Sequence, residues 1–278
     1  MRIDLHTHSN ESDGTETPLE LLDSAIKAGL DLFALTDHDS IAGWHQIKDK
    51  APASIEIALG AEVSCQTLEA LSVHMLGYLF NPDDKALIDS MNETRTNRIT
   101  RMERIVARLQ EAGMDITVDD VYAETIEGAT VGRPHLADAM IRKGIVADRS
   151  EAFETYLHNR SKYYIPDASP TPEAAITLIK NAGGVAIIAH PFASLRGRII
   201  SAQYLESLIG AGLDGIEINH RDHNDGEREE LSHLAKRYGL LVTGGSDYHG
   251  TGKVNRLGEN LTDLSQWEKI KERAGSLK

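Results

Sequence analysis

Asp4-Leu5-His6-Thr7-His8-Ser9-Asn10-Glu11-Ser12-Asp13-Gly14 follows from the first short apolar run of the chain, Arg2–His6. In an extended segment, residues two apart face the same side, so His6 and His8 can reach one ion together, with Asp13 close behind. The same device returns near the other end. There the run Leu240–Gly245 leads into Gly245-Ser246-Asp247-Tyr248-His249, a second pair spaced by two. Between these ends lie five more runs that read as buried strands: Leu32–Thr36, Ile55–Ser64, Leu71–Tyr78, Gly184–Ala189 and Gly215–Asn219. They carry Thr36-Asp37-His38-Asp39, Gly60-Ala61-Glu62, His74, Ala189-His190-Pro191 and Glu217-Ile218-Asn219-His220. Every expected strand thus delivers a metal-competent side chain, nearly always at its C-terminal end, where parallel barrels build their sites.

Helical patterns alternate with these strands. Pro18–Ala28 starts on proline and stops at Gly29, and Pro172–Ala182 stops at Gly183-Gly184 in the same way. Tyr204–Gly210 and Gly226–Tyr238 are also helical in pattern. Strand alternating with helix predicts parallel pairing, hence an α/β sheet or barrel. From about Asp83 to Tyr164 helical patterns replace strands: Asp84–Gly113, Arg133–Lys143 and Ser150–Leu157. The expected organisation is therefore a discontinuous barrel, residues 1–82 and 165–278, holding a helical insert at 83–164.

The 278 residues are ample for a packed core, and the mix of 41% hydrophobic and 26% charged residues is that of a soluble globular protein. No apolar run approaches the roughly 18 residues of a membrane span, and the N-terminus has no apolar signal region. Cys65 is the single cysteine, which excludes an internal disulfide and is compatible with the cytoplasm. A net charge of −14 argues against tight nonspecific binding to duplex DNA. A small nucleotide or short RNA is still allowed, because bound cations set the field inside a pocket.

Imidazole mixed with carboxylate suits manganese, iron or zinc rather than calcium, and the lack of thiolates argues against a closed structural zinc site. Each element alone has an ordinary alternative. His74 can be a buried hydrogen-bonded histidine, and His190 can simply end a strand. Arg133 can grip a phosphate or lie on a solvated helix start, with His135 beside it as a second contact or as a cap. His223 can donate a proton to a leaving oxygen, bind phosphate, or sit on a surface loop. Asp37, Asp39 and Ser64 can orient imidazoles or cap helices. Arg101, Arg104 and Arg108 fall opposite the apolar stripe of the long helix, an ordinary solvated face, while Arg95 falls on the apolar side.

DLHTHSNESDG, LTDHDSIAG, GAEVS, the histidine of SVHMLGY, AHP and GGSDYHG occur here in an order and spacing that resemble the PHP (polymerase and histidinol phosphatase) family, over most of the chain. That resemblance implies a distorted (β/α)7 TIM-like barrel with its site at the C-terminal strand ends. It implies that His6, His8, Glu62 and Asp247 hold one divalent ion. Glu62 bridges to a second ion on His74 and His190, and Asp13, His38 and His249 hold a third. Two or three cations are expected, manganese foremost, with iron, zinc or magnesium as alternatives.

Within the family the chain resembles the short branch with a helical insert, whose members include nucleoside 3′,5′-bisphosphate phosphatases and 5′-to-3′ exoribonucleases on short RNA. The motif Gly132-Arg133-Pro134-His135 is similar to one in that insert. Two segments depart from the family pattern, Phe192–Arg196 and Asn219–His223, and both are expected to line the pocket. The expected chemistry is phosphoester hydrolysis by a water activated between cations, with Glu62 and His223 as catalytic residues and Arg133, His135 and His223 as substrate contacts. The competing expectations are a histidinol-phosphate or other small phosphomonoester phosphatase, a metal-dependent amide hydrolase, and a non-catalytic metal-binding module.

Overall fold

The computed structural model describes residues 1–69, 71–126, 129–166, 168–196 and 199–276; the side chains of Arg196 and Ser276 lie outside that description. Seven strands form one sheet in sequence order: β1 (Ile3–Thr7), β2 (Leu32–Leu35), β3 (Glu56–Gln66), β4 (Ser72–Tyr78), β5 (Val185–Ile188), β6 (Gly215–Asn219) and β7 (Leu241–Gly244). The first three pair in parallel, as do the last three. A parallel bridge between Thr7 and Tyr248 brings the end of the sheet back to its start, so the barrel is nearly closed.

Parallel pairing fails at β4, which runs antiparallel to both β3 and β5. Only residues 67–71 separate β3 from β4, and a parallel return needs a crossover of roughly a dozen residues or more. The reversal matters for the site. His74 near the start of β4 pairs with Ser64 near the end of β3. The N-terminal end of β4 therefore lies at the same rim as the C-terminal ends of its neighbours. A histidine that looks out of place on a parallel strand is thereby brought to the common mouth.

The helices are α1 (Pro18–Lys27), α2 (Ala42–Ile47), α3 (Lys85–Glu111), α4 (Val118–Tyr122), α5 (Arg133–Arg142), α6 (Arg149–Ala152), α7 (Pro172–Asn181), α8 (Ala202–Gly210), α9 (Asp225–Tyr238) and α10 (Leu264–Ser276). Local chemistry explains their ends. In α1, Thr17 accepts the Glu20 N–H at 3.2 Å while Glu20 accepts the Thr17 N–H at 2.8 Å, Pro18 opens the first turn, and Gly29 exits at φ +70°. Among the described residues no helix is long and apolar enough to cross a membrane. Beneath the sheet, Trp267 and Ile270 of α10 join Ile3, Leu5, Leu76, Tyr78 and Ile187 in one buried cluster. That helix is tied on by Asp214, buried at the start of β6. It accepts the Ala186 N–H at 3.0 Å, Lys180 Nζ at 2.9 Å and Arg273 Nη1 at 3.1 Å. Both cations are partly solvated, so Asp214→Ala is expected to cost on the order of 2 kcal/mol in a urea melt. A loss near zero would show that α10 docks through its apolar face alone.

The long helix α3, about 40 Å from end to end, serves two cores. Leu87 and Met91 pack in the barrel cluster, whereas Met102, Ile105, Val106 and Leu109 pack with Leu136, Ala139 and Met140 of α5. The change of core thus runs through α3 rather than at its start. The helical wheel places Arg101 on a solvated face, but Arg101 is buried. It donates Nε to the Ile165 carbonyl at 2.7 Å and lies over the Tyr164 ring. Residues 162–165 return along that face, which no pattern within α3 could reveal. Arg104 and Arg108 are exposed, although Arg108 also donates to the Tyr164 carbonyl at 2.7 Å.

Candidate metal centre

Glu62 sits mid-strand in β3, 1% exposed, and five imidazoles converge on it. Its Oε2 lies 3.2 Å from His6 Nε2, 3.1 Å from His8 Nε2 and 3.3 Å from His38 Nδ1. Its Oε1 lies 2.7 Å from His74 Nδ1 and 3.3 Å from His190 Nε2. Asp247 Oδ1 joins the first side, 3.5 Å from His6 Nε2 and 3.4 Å from His8 Nε2. Asp13 lies further out, with Oδ1 3.0 Å from His249 Nε2 and Oδ2 3.8 Å from His38 Nε2. The ligand atoms fall into three compact sets: His6–His8–Glu62–Asp247, His38–Glu62–His74, and His8–Asp13–His38–His249. All nine residues of the expected ligand set are thus brought to one place. The middle set includes His38, and His190 approaches it through Oε1 of Glu62.

Backbone geometry brings these groups together. After β2 the chain stays extended, so that Asp39 N–H bonds to the Glu62 carbonyl at 3.1 Å and Glu62 N–H to the Asp37 carbonyl at 3.2 Å, setting His38 beside Glu62. His190 and Asp247 both have positive φ, +31° and +52°, and so does Asp39 next to His38, at +52°. Such backbone costs about 1–3 kcal/mol per residue and persists where the surroundings over-determine it.

The donor set fits divalent cations. His6 Nε2, His8 Nε2, Asp13 Oδ1, His38 Nδ1 and His249 Nε2 are buried without a hydrogen bond, which is costly unless a ligand completes them. Their other ring atoms are anchored. His6 Nδ1–H donates to Glu217 Oε1 at 2.9 Å, and His249 Nδ1–H donates to the Asp247 carbonyl at 2.8 Å. Each anchor turns the opposite nitrogen to the cluster, the arrangement typical of metal-bound histidine.

Burial and charge compete across the cluster. Burial alone would push His6 down, but Glu217, Glu62 and Asp247 hold it well above the ordinary imidazole value. His8 is likewise raised to about 9 against its burial, by Asp247 and Glu62. At the outer edge burial wins: His38 falls well below the ordinary value, and His249 falls to about 4 with Lys253 adding to the effect. Burial opposes ionisation of Glu62 and Asp13, but the surrounding imidazoles hold both well below the carboxylate range. Asp4 goes the other way. Burial lifts it to about 6, although Ser246 and Gly258 donate main-chain N–H groups to it.

Several residues beyond the expected set take part. Glu217 Oε2 accepts the His190 N–H at 2.9 Å, so one carboxylate orients two histidines. His220 is fully buried, with Nε2 3.6 Å from Asp247 Oδ2, and Lys253 Nζ lies 2.9 Å from the same oxygen. The signal for Glu217 was a charged residue in the otherwise apolar strand Gly215–Asn219. Glu217→Gln is expected to weaken the tightest Mn²⁺ binding about 10- to 100-fold, read by calorimetry, with the thermal melt of the metal-free protein as a folding control.

Other expected roles shift. Asp37 accepts Ser9 N–H, Ser9 Oγ and Ser12 Oγ and so braces the loop after β1, whereas Asp39 accepts Ser64 N–H and Oγ of β3 and lies 3.3 Å from Arg98 Nε. His223 is buried with both nitrogens on main chain. Nδ1–H donates to the Ile218 carbonyl at 2.9 Å, and Nε2 accepts the Phe192 N–H at 3.3 Å. In that tautomer it has no proton for a leaving oxygen. His135 is a cap, with Nδ1 accepting the Gly132 N–H at 3.0 Å. Arg133 donates to the Leu157 carbonyl at 2.6 Å and Asn159 Oδ1 at 2.7 Å, and lies over the Phe153 and Tyr164 rings. Of the two departing segments, His220, His223 and Phe192 are buried, whereas Leu195 is 80% exposed and Arg221 turns out to Glu259.

With this geometry in hand, comparison with known proteins places the chain. Residues 4–115 match the PHP domain. A 3′,5′-nucleoside bisphosphate phosphatase of Chromobacterium violaceum is 32% identical over 263 residues, covering 94% of this chain and 92% of the relative. The chain belongs to the PHP domain family. A 5′-3′ exoribonuclease of Haemophilus influenzae is 30% identical over 275 residues, covering 97% and 99% of the two chains. A solved Bifidobacterium adolescentis protein, described as a candidate metal-dependent phosphoesterase, superposes with a TM-score of 0.91 at 42% identity, covering 98% of this chain and 96% of that one. Fold, full-length relatives and buried His/Asp/Glu cluster together make this PHP protein a metal-dependent phosphoesterase.

Proposed function

We propose that this PHP protein removes phosphate from a small nucleotide, converting a nucleoside 3′,5′-bisphosphate to the 5′-monophosphate, and that the same site trims short RNA from the 5′ end. One observation carries the proposal: Glu62 offers one oxygen to His6 and His8 and the other to His74 and His190, so it is built to join two cation positions. On this assignment His6, His8, Glu62 and Asp247 hold one ion, Glu62, His74 and His190 a second, and Asp13, His38 and His249 a third. Bound divalent cations supply acidity to a water and neutralise charge on phosphoryl oxygens. The protein's own groups fix the geometry for that chemistry. Glu217 sets the His6 ring and the His190 backbone, and Lys253 occupies the Asp247 oxygen that faces away from His6 and His8. Manganese is the proposed ion, on the strength of the mixed imidazole and carboxylate donors. The full-length likeness to a bisphosphate phosphatase and an exoribonuclease supports the substrate class.

The test is phosphate release from adenosine 3′,5′-bisphosphate with Mn²⁺, run beside histidinol phosphate and a 5′-phosphorylated RNA trimer. Preferred turnover of the bisphosphate supports the proposal. Preferred turnover of histidinol phosphate overturns the substrate. No turnover of any of them with Mn²⁺, Mg²⁺, Zn²⁺ or Fe²⁺ bound overturns the activity.

A further inference from the structure

Polar contacts from residues 130–149 of the insert to the barrel fall on one part of the cluster, whereas Arg98 of α3 lies 3.3 Å from Asp39 Oδ2 and donates to Ser64 Oγ in β3. Thr130 donates Oγ1 to the carbonyl of His38 at 2.8 Å and its N–H to the carbonyl of Glu11 at 3.0 Å. His135, 4% exposed, holds the start of α5 by accepting the Gly132 N–H on Nδ1. Arg149 grips both oxygens of Asp138, at 2.7 and 2.5 Å, and donates Nη1 to the Gly252 carbonyl at 3.0 Å. A Cβ on Gly252 would collide with that guanidinium, so the approach depends on glycine there.

The anchor points share a property. Glu11 lies two residues before Asp13, the Thr130 hydroxyl bonds the carbonyl of His38 itself, and Gly252 ends the turn Gly250–Gly252 that follows His249. These are the loops of the outer set, Asp13, His38 and His249. The innermost set is held by the barrel instead: Glu62 lies in β3 and Glu217 fixes His6.

We infer that the segment from Thr130 to Arg149 positions the outer ligand set, so that its docking and cation occupancy of the outer position are coupled while the innermost position, on His6, His8, Glu62 and Asp247, is independent of it. Thr130 and Arg149 are the positioning residues. Coupling of this kind is reciprocal: whatever loosens the insert weakens the outer cation, and the outer cation tightens the insert. The inference rests on the proposal that the cluster binds divalent cations, and the experiment separates the two.

Metal-stripped full-length protein is titrated with Mn²⁺ by calorimetry, and amide exchange of residues 130–142 is followed with and without Mn²⁺. In the wild type, Mn²⁺ slows exchange in that segment, and a weaker binding class is resolved from the tighter one. Thr130→Val and Arg149→Met each weaken only the weaker class, about tenfold, and Arg149→Lys restores part of the loss by reaching the Gly252 carbonyl. Equal weakening of both classes, unchanged affinities, or exchange indifferent to Mn²⁺ overturns the coupling. A wild type with only the tighter class overturns it too, while leaving the inner metal positions intact. A wild type that binds no Mn²⁺ overturns the metal centre itself, before any variant is compared.

Discussion

Glu62→Gln is expected to abolish turnover, by three to four orders of magnitude in kcat/KM. Glu62 turns its two oxygens to different histidine groups, with five imidazole nitrogens within 3.3 Å. Glutamine keeps the volume and one acceptor but removes the charge and replaces an acceptor with a donor amide. The amide N–H group cannot ligate a cation, and its hydrogens repel any cation the imidazoles would share. Losing one cation position removes several kcal/mol of charge stabilisation, and each 1.36 kcal/mol is a factor of ten in rate. Mn²⁺ titration should show the tighter class lost. His74→Gln, on the edge of the same group and half-buried, should lose much less, because it takes one ligand from one position. A Glu62→Gln protein that folds normally and keeps turnover within tenfold of wild type would remove the bridging role from this residue.

Most of the barrel, and the polar residues that gather at its mouth, were legible because each strand is short, apolar and closed by a conspicuous polar group. His6 with His8 and Asp247 with His249 announce themselves by spacing alone, since an extended chain aims both on one side. The orientation of β4 is not apparent from its pattern, although the six residues between its run and the previous one are too few for a parallel return. Roles that depend on tertiary closure were hidden. Arg101 looks solvated on its own helix and is covered by residues 162–165, far away in sequence. His223, His135 and Arg133 have the right chemistry for substrate, and only folded coordinates show them bonded to main chain and to Asn159. Glu217 was visible as a buried charge, but its pairing with His6 spans 211 positions. Local pattern names the groups that can ligate; it does not say which carboxylate orients them.

The metal-free protein is expected to be most stable near pH 6.5, and Mn²⁺ is expected to move that optimum above pH 8. The sign follows from two histidine groups. His8 is raised to about 9 in the folded state, and its unfolded value is about 6.5. Its protonated form therefore stabilises the fold fully below pH 6.5, and that contribution is lost as pH climbs toward 9. His6, held up by Glu217, Glu62 and Asp247, acts in the same direction. His249 is lowered to about 4, so the unfolded chain binds more protons between pH 4 and 6.5, and stability falls as pH drops through that window. The two slopes meet near pH 6.5. Cations need the neutral imidazoles, so at pH 7 binding must expel protons from His6 and His8. Apparent Mn²⁺ affinity should then rise with pH by up to about two decades per unit until near pH 9, and calorimetry in buffers of different ionisation enthalpy should count about two protons released. Thermal melts from pH 5 to 9, with EDTA and with Mn²⁺, read the crossing directly. If the EDTA curve keeps rising between pH 6.5 and 9, or no proton is released on binding, the anionic cage around His6 and His8 does not hold those protons. The same cage that makes the metal-free protein prefer mild acid would otherwise make it a poor metal binder there, so the enzyme's acid limit is set by ligand protons rather than by unfolding.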